Sequence, residues 1–217
     1  MAIERMDTDT EGSPSTDKAA RPRARRGTIS RPQIVEAALR SLTTTGFEQM
    51  TIRSLAAELG VAPMSLYRYI RDKDDLMDEV VDELLKQKVA FPSGTGTWQA
   101  RITTAADALR DLLVTESAAL YVYLRHPVVS PAAVDRMETM LRVLQEAGFD
   151  EVSSREAYAA IQTYTIGFAA LEASRAGWRP EGGADPLATE LSAFTTPTQF
   201  ARGLHYLLEG IEHEAGT

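Results

Sequence analysis

Between Thr51 and Lys73 the chain carries side chains suited to reading a nucleic acid. Arg53 offers forked donors that match the outer edge of guanine, Ser65 can donate to or accept from a base, and Met64 offers apolar contact to a thymine methyl. The free amides that open helices at Pro63 and Lys73, with the Lys73 ammonium beside them, make a phosphate site. Such groups read a sequence only when held rigidly, and the flanking pattern supplies the scaffold. Thr51 caps a short helix with an apolar face of Ile52, Leu55, Ala56 and Leu59. Gly60-Val61-Ala62 turns tightly, and Pro63 opens a further short helix to Ile70, where its missing N–H is harmless. Two short helices joined this way form a helix-turn-helix, with the second helix lying in the major groove. Leu59, Val61 and Leu66 are spaced to fix its angle from beneath. An ordinary helix pair in a bundle has the same periodicity, so periodicity alone does not decide.

Charge distribution favours the nucleic-acid reading. The net charge is −8, but Lys18 to Lys73 holds eleven Lys and Arg against four acids, a surplus of seven, which leaves −15 for the remainder. This contrast predicts a cationic face for a polyanion and an acidic body repelled by it. Residues 1–27, rich in Ser, Thr, Asp, Pro and Arg, predict a disordered basic tail whose Arg21 to Arg26 either follow phosphates or are simply solvated.

The run Thr51-Ile52-Arg53-Ser54-Leu55-Ala56-Ala57-Glu58-Leu59-Gly60-Val61-Ala62-Pro63-Met64-Ser65-Leu66-Tyr67-Arg68-Tyr69-Ile70-Arg71-Asp72-Lys73 resembles the signature of the tetracycline-repressor (TetR-like) family of transcriptional regulators. The resemblance covers residues 30–80 and implies that Arg53, Pro63, Met64 and Ser65 face bases. It also implies that Tyr67 and Tyr69 touch bases or backbone, that Lys73 neutralises a phosphate and that Leu66 is core. With Thr51 at the helix opening, these residues form the candidate DNA-binding set. Ala62 departs from the pattern, standing where many members carry a polar cap.

The rest of the chain reads as helical. A first helix carries Ile34, Val35, Ala38, Leu39 and Leu42 up to Gly46; a fourth runs from Lys73 to Phe91 behind an Asp72 cap. Pro92-Ser93-Gly94-Thr95-Gly96 is the clearest breaker cluster and suggests a boundary between a DNA-binding domain at 28–91 and a body at 97–217. In the body, periodic segments cover Trp98 to Thr115, a piece ending at Arg125, and a helix opened by Ser130-Pro131 with Val134, Met137, Leu141 and Leu144. Ser153-Ser154-Arg155-Glu156 and Thr196-Pro197-Thr198-Gln199 read as capping boxes for the two last long helices, with a Gly/Pro loop at Trp178 to Pro186 between them. The predicted fold is all-α, a three-helix helix-turn-helix head on a larger helical bundle.

Trp98-Gln99, His126-Pro127, Ala147-Gly148-Phe149 and Tyr164-Thr165-Ile166-Gly167-Phe168 resemble the bodies of the tetracycline repressors themselves. That resemblance implies that the last two helices form a four-helix homodimer interface and that the preceding helices enclose a small-molecule effector pocket. A dimer doubles the readout on a palindromic double-stranded operator. Phe200, Leu204, Leu207, Leu208 and Ile211 form the apolar stripe of the last helix, which suits an interface or intrachain core. Tyr158, Ile161, Gln162, Thr165 and Phe168 mix apolar walls with sparse polar groups, with Met137 and Leu141 able to face them; these seven are the effector-binding candidates, and a plain core accounts for each as well. His205, Glu209 and His213 have metal-ligand spacing, but a solvated helix face explains them more simply, so no metal and no cofactor are predicted. His126 either touches an effector or donates to backbone at a helix end.

The expected function is a ligand-responsive transcriptional regulator, most often a repressor in this family. The alternatives are a dimeric DNA binder without effector and an enzyme with a DNA-binding head. Against the enzyme, the chain lacks a Gly-x-Ser-x-Gly elbow, a phosphate-cradling glycine loop, a His-Glu-x-x-His pair and any cysteine. With no secretory apolar stretch at the start and no run near ~18 apolar residues, a cytoplasmic protein without membrane partners is expected.

Overall fold

The computed structural model describes residues 29–89, 95–176, 187, 190 and 193–215. Among these there is no strand, and the architecture is all-α. The tail at 1–27, Phe91 and the loop Trp178 to Pro186 lie outside the described residues.

The head begins with α1 (Arg31–Thr45), opened by a Ser30–Gln33 capping box and closed at Gly46, whose φ of +81° suits a residue without a side chain. α2 (Ile52–Glu58) is capped by Thr51, whose hydroxyl accepts from the Ser54 amide at 3.0 Å. The turn follows at Gly60, φ +67°, and α3 (Pro63–Leu66) starts with Pro63 at its first position. α3 is shorter than the predicted Pro63 to Ile70. The amides of Tyr69 and Ile70 both reach the Leu66 carbonyl, so the last turn tightens as the chain swings into the Asp72 cap of α4 (Lys73–Lys88).

Next come α5 (Trp98–Thr115), α6 (Ser117–Arg125), α7 (Pro131–Glu146) and α8 (Glu151–Arg175); after a 3-10 turn at Ala193–Thr195, α9 (Pro197–Ala215) closes the chain. The Ser153 capping box is not what opens α8. Asp150 caps it, its carboxylate accepting from the Ser153 amide at 2.7 Å, and Ser154 is fully buried inside the helix. An ionised carboxylate one turn earlier is the stronger acceptor for free amides beside the helix dipole.

Two apolar clusters hold the elements together. The first runs from Ile34 of α1 through Leu55, Leu66 and Ile70 of the reading head to Leu76, Val80 and Leu84 of α4. It continues into the body at Leu109 and Leu113 of α5, Val122 of α6 and Ala169 of α8. The second joins Ile102 and Ala105 of α5, Met140 and Leu144 of α7, Ile161 of α8, and Phe200, Leu204 and Leu208 of α9. Each fully buried Leu, Ile or Phe contributes about 1.5–3 kcal/mol. On α9 the predicted stripe therefore divides: Phe200, Leu204 and Leu208 are intrachain core, while Leu207 and Ile211 are only partly covered. Where α9 passes α8, the Tyr164 hydroxyl donates to the Phe200 carbonyl at 2.9 Å and lies in the space a side chain at Gly203 would occupy. No described helix is long and apolar enough to cross a membrane.

Candidate nucleic-acid interface and effector site

The reading head separates side chains that anchor it from side chains left over. Leu55, Ala56, Leu66 and Ile70 are buried, whereas Thr51, Arg53 and Pro63 are exposed and Met64 is 74% accessible. Ser65 is half-buried, Tyr67 is exposed, and Tyr69 is half-buried against the first core cluster, so the two tyrosines differ in what they can reach. Ala62 provides no side-chain cap to α3.

Three arginines of the head are already matched. Arg40 meets Glu36 at 2.9 Å and Glu58 at 3.2 Å; Arg31 pairs with Asp75 and Glu79; Arg71 pairs with Asp75 at 3.0 Å. Although burial pushes the Asp75 carboxyl up, hydrogen bonds from the Arg71 amide and guanidinium bring it below its usual range. Arg53 and Arg68 make no ion pair among the described residues. Of the described cations between residues 29 and 73, these two and Lys73 have no acidic partner; Lys18 and Arg21 to Arg26 lie outside the described residues. Lys73 has a fold role as well, since its ammonium donates to the Phe47 carbonyl at 3.0 Å and sits 4.0 Å from the Phe47 ring centroid.

The same corner touches the body. The Phe47 ring lies 4.6 Å from that of Tyr121 in α6, and the Tyr121 hydroxyl donates to Asp74 of α4 at 3.3 Å. Asp74 is the first of three carboxylates four residues apart on α4. Asp74 also pairs with Arg125 at 3.2 Å, Asp78 faces His126 at 3.4 Å, and Asp82 accepts from the Ala132 amide at 2.8 Å, capping the start of α7. Burial holds the Asp78 carboxyl above its usual range; burial acts on Asp82 the same way, but bonds from Lys86 and Ala132 leave it lower than usual. His126 also contacts the Pro127 carbonyl at 3.2 Å. Asp78, Asp82, Lys86, His126 and Pro127 line a cavity of about 740 Å³ between α1, α4 and residues 126–131.

None of the seven predicted effector residues lines that cavity. Ile161 belongs to the second core, and Thr165, buried beside it, donates to the Ile161 carbonyl at 2.8 Å, so the hidden polarity that marked it is satisfied within its own helix. Tyr158 and Phe168 pack against that core, Phe168 edge-on to Phe200 at 5.2 Å, and Gln162 is half-buried with no hydrogen bond among the described residues. Met137 and Leu141 are half-buried and join neither cluster. α7 turns Ala133, Arg136, Met140, Val143 and Leu144 inward instead. Of the predicted stripe, Leu144 is buried, whereas Val134, Met137 and Leu141 each stand one residue past the inward positions Ala133, Arg136 and Met140, because a purely apolar pattern skips the charged Arg136. His205 and Glu209 are exposed and 3.9 Å apart, and among the described residues no three potential ligands gather around a metal position.

Two family models match the chain. One, described as bacterial regulatory proteins of the tetR family, covers residues 34–80, and the other, described as the tetracyclin repressor-like C-terminal domain, covers residues 92–215. The chain belongs to the tetR family. The HTH-type transcriptional repressor DrrR1 of Streptomyces coeruleorubidus is 31% identical over 155 residues, which is 70% of this chain and 57% of that repressor's own length. The match thus spans less than two thirds of that relative. A solved protein from Streptomyces coelicolor A3(2), described as a possible TetR family transcriptional regulator, is 25% identical, with a TM-score of 0.72 over 85% of this chain and 99% of that one. BioQ, a protein of Mycobacterium smegmatis, has been solved with its double-stranded DNA operator; that structure is 25% identical, with a TM-score of 0.66 over 84% of this chain and 98% of its own.

In this tetR-family regulator, two features escaped the sequence reading. The carboxylate series Asp74, Asp78 and Asp82 had helical spacing as its only signal. Arg136 had a better one, standing in the three-and-four rhythm of Ala133, Met140 and Val143.

Proposed function

We propose that this tetR-family regulator is a repressor that binds a palindromic operator as a homodimer and is released by a small molecule. The observation that carries the reading is the attachment of α4 at both ends of its task. Lys73 and Phe47 tie it to the reading head, and Asp74, Asp78 and Asp82 tie it to α6, His126 and α7. A change in the body that moves the α6–α7 turn is transmitted to α4 through three charged contacts. Its tilt then alters the separation of the two recognition helices in a dimer. Arg53, Pro63, Met64, Ser65 and Tyr67 read base edges, and Thr51, Tyr69 and Lys73 address the backbone. The dimer face is the outer side of α8 and α9, where a groove of about 420 Å³ is bordered by Tyr206, Leu207, Gly210 and Ile211, with Tyr206 64% exposed.

Release from nearly all bound to nearly all free requires about 5.5 kcal/mol of preference for the DNA-incompetent arrangement. The test has two arms. Operators selected from a random pool should be palindromic, with half-sites about one helical turn apart, and sedimentation should give a dimer on them. Spin labels at Arg68 of each protomer should report a longer or broader separation in free than in operator-bound dimers. A single unrepeated half-site bound by a monomer, or an identical separation and spread in both states, removes this reading.

A further inference from the structure

Arg136 is a charged side chain without a counter-charge in the middle of the body. It is 2% exposed, and one terminal nitrogen donates to the Ala105 carbonyl of α5. Its Nε and other terminal nitrogen are buried with no hydrogen-bond partner. The ionisable groups that weigh on it are the hydroxyls of Tyr123 on α6 and Tyr158 on α8, not carboxylates. Burial pushes the Tyr123 phenol up to about 12 and raises that of Tyr158, so both stay protonated near neutral pH and neither balances the guanidinium. Asp135, its chain neighbour, is exposed and makes no ion pair among the described residues. Arg136 also lines a cavity of about 270 Å³ with Leu85, Lys86 and Val89 at the end of α4 and Pro131, Ala132 and Asp135 of α7.

Burying a cation without a partner is strongly unfavourable, and an apolar residue of similar size is often neutral or better there. A site that keeps such a residue is preorganised for a ligand that completes it. We propose that Arg136 is the anchor of the effector site and that the effector is a small organic acid. Its carboxylate takes the two open donors of the guanidinium, with the Tyr123 and Tyr158 hydroxyls as further donors. This rests on the reading of the chain as a ligand-released repressor and names the chemistry of its ligand. The carboxylate supplies two acceptors in a plane, which is the geometry the fork of arginine fits. A neutral analogue of the same shape leaves the charge uncompensated.

The test uses the full chain and matched acid and amide probes of increasing size: acetate and acetamide, benzoate and benzamide, 2-naphthoate and 2-naphthamide. Titration calorimetry should give, for at least one pair, a Kd about ten-fold or more lower for the acid. In Arg136→Met the preference should vanish, and in Arg136→Lys, which keeps the charge, part of it should return. The urea midpoint of Arg136→Met should equal or exceed that of the wild type, which a purely structural arginine would not allow. No acid preference in any pair, or a preference that survives in Arg136→Met, overturns the proposal. So does an Arg136→Met midpoint below wild type. Operator affinity measured in parallel by fluorescence anisotropy separates the two readings. An Arg136-dependent acid that never weakens DNA binding upholds the acid site and removes ligand release. Intact palindromic binding without acid preference removes the acid site alone.

Discussion

Among the described residues two arginines are buried in the body, and they differ in company. Arg110, 6% exposed on α5, forms a two-pronged pair with Glu172 of α8, with Nε 2.8 Å from one carboxylate oxygen. It also bonds Asp111 at 2.7 Å and stands 5.5 Å from the Phe200 ring centroid. Arg136, on the neighbouring α7, has one carbonyl and two neutral phenols. Burial of a charge is thus common to both arginines, and the counter-charge is what separates them. The reading head has the outward version of the same condition. Arg53 lacks a partner but stands in water, where an unpaired guanidinium is solvated and ready for a polyanion.

The sharpest break of the comparison is Glu172→Ala. It leaves Arg110 with only the exposed Asp111 carboxylate and should lower stability by about 3–5 kcal/mol, read as a drop in the urea midpoint. A loss near zero would mean that the pair is not what holds α5 to α8, and the contrast with Arg136 would collapse. Next in size is Arg53→Ala. On a selected operator it should lose about 1–3 kcal/mol in fluorescence anisotropy and relax preference at one base position. Wild-type affinity and selectivity would dismiss Arg53 as a reader.

Lys73→Ala should give two smaller changes together. Affinity should fall evenly across DNA sequences, with the salt slope reduced by roughly one. Stability should fall by about 0.5–1.5 kcal/mol because the Phe47 carbonyl loses its donor. A stability loss with an unchanged salt slope would assign Lys73 to the fold alone. The smallest effects are those of pH. Asp82 is more acidic in the folded chain than when unfolded, so its contribution to stability is present above about pH 4 and is lost as pH falls through its folded value. Asp78 has the opposite sign: its raised folded value makes the charged form a burden near neutral pH that eases on acidification. Asp82→Asn should flatten the acid limb of a stability–pH curve, and Asp78→Asn should raise the neutral plateau. Identical curves for both would show that the α4 carboxylates are interchangeable.

What could be read from sequence follows from how local each cause is. Thr51, Pro63, Gly60 and Asp72 act through backbone groups within a turn of themselves, so the reading head was legible apart from the early end of α3. The effector set depended on which face of α7 and α8 turns inward. There a pattern rule that counts only apolar residues passes over Arg136 and selects Met137 and Leu141. Thr165 misled for another reason, since a hidden hydroxyl that bonds its own helix has the same sequence signal as one awaiting a ligand. The α4 carboxylates were invisible because their partners are 47 to 51 residues away in the chain.

The first apolar cluster, which passes from Ile34 to Val122 with no break at the suggested boundary, bears on modularity. A helix-turn-helix is commonly treated as a cassette to be exchanged between regulators. Here the cassette's inner surface is completed by Leu109, Leu113 and Val122, so a head transplanted at the α4–α5 junction would meet a foreign floor. A chimera that keeps α6 with its own head preserves the match. One that does not should show early amide exchange in α1 and α2, as the donor head opens independently of the recipient body.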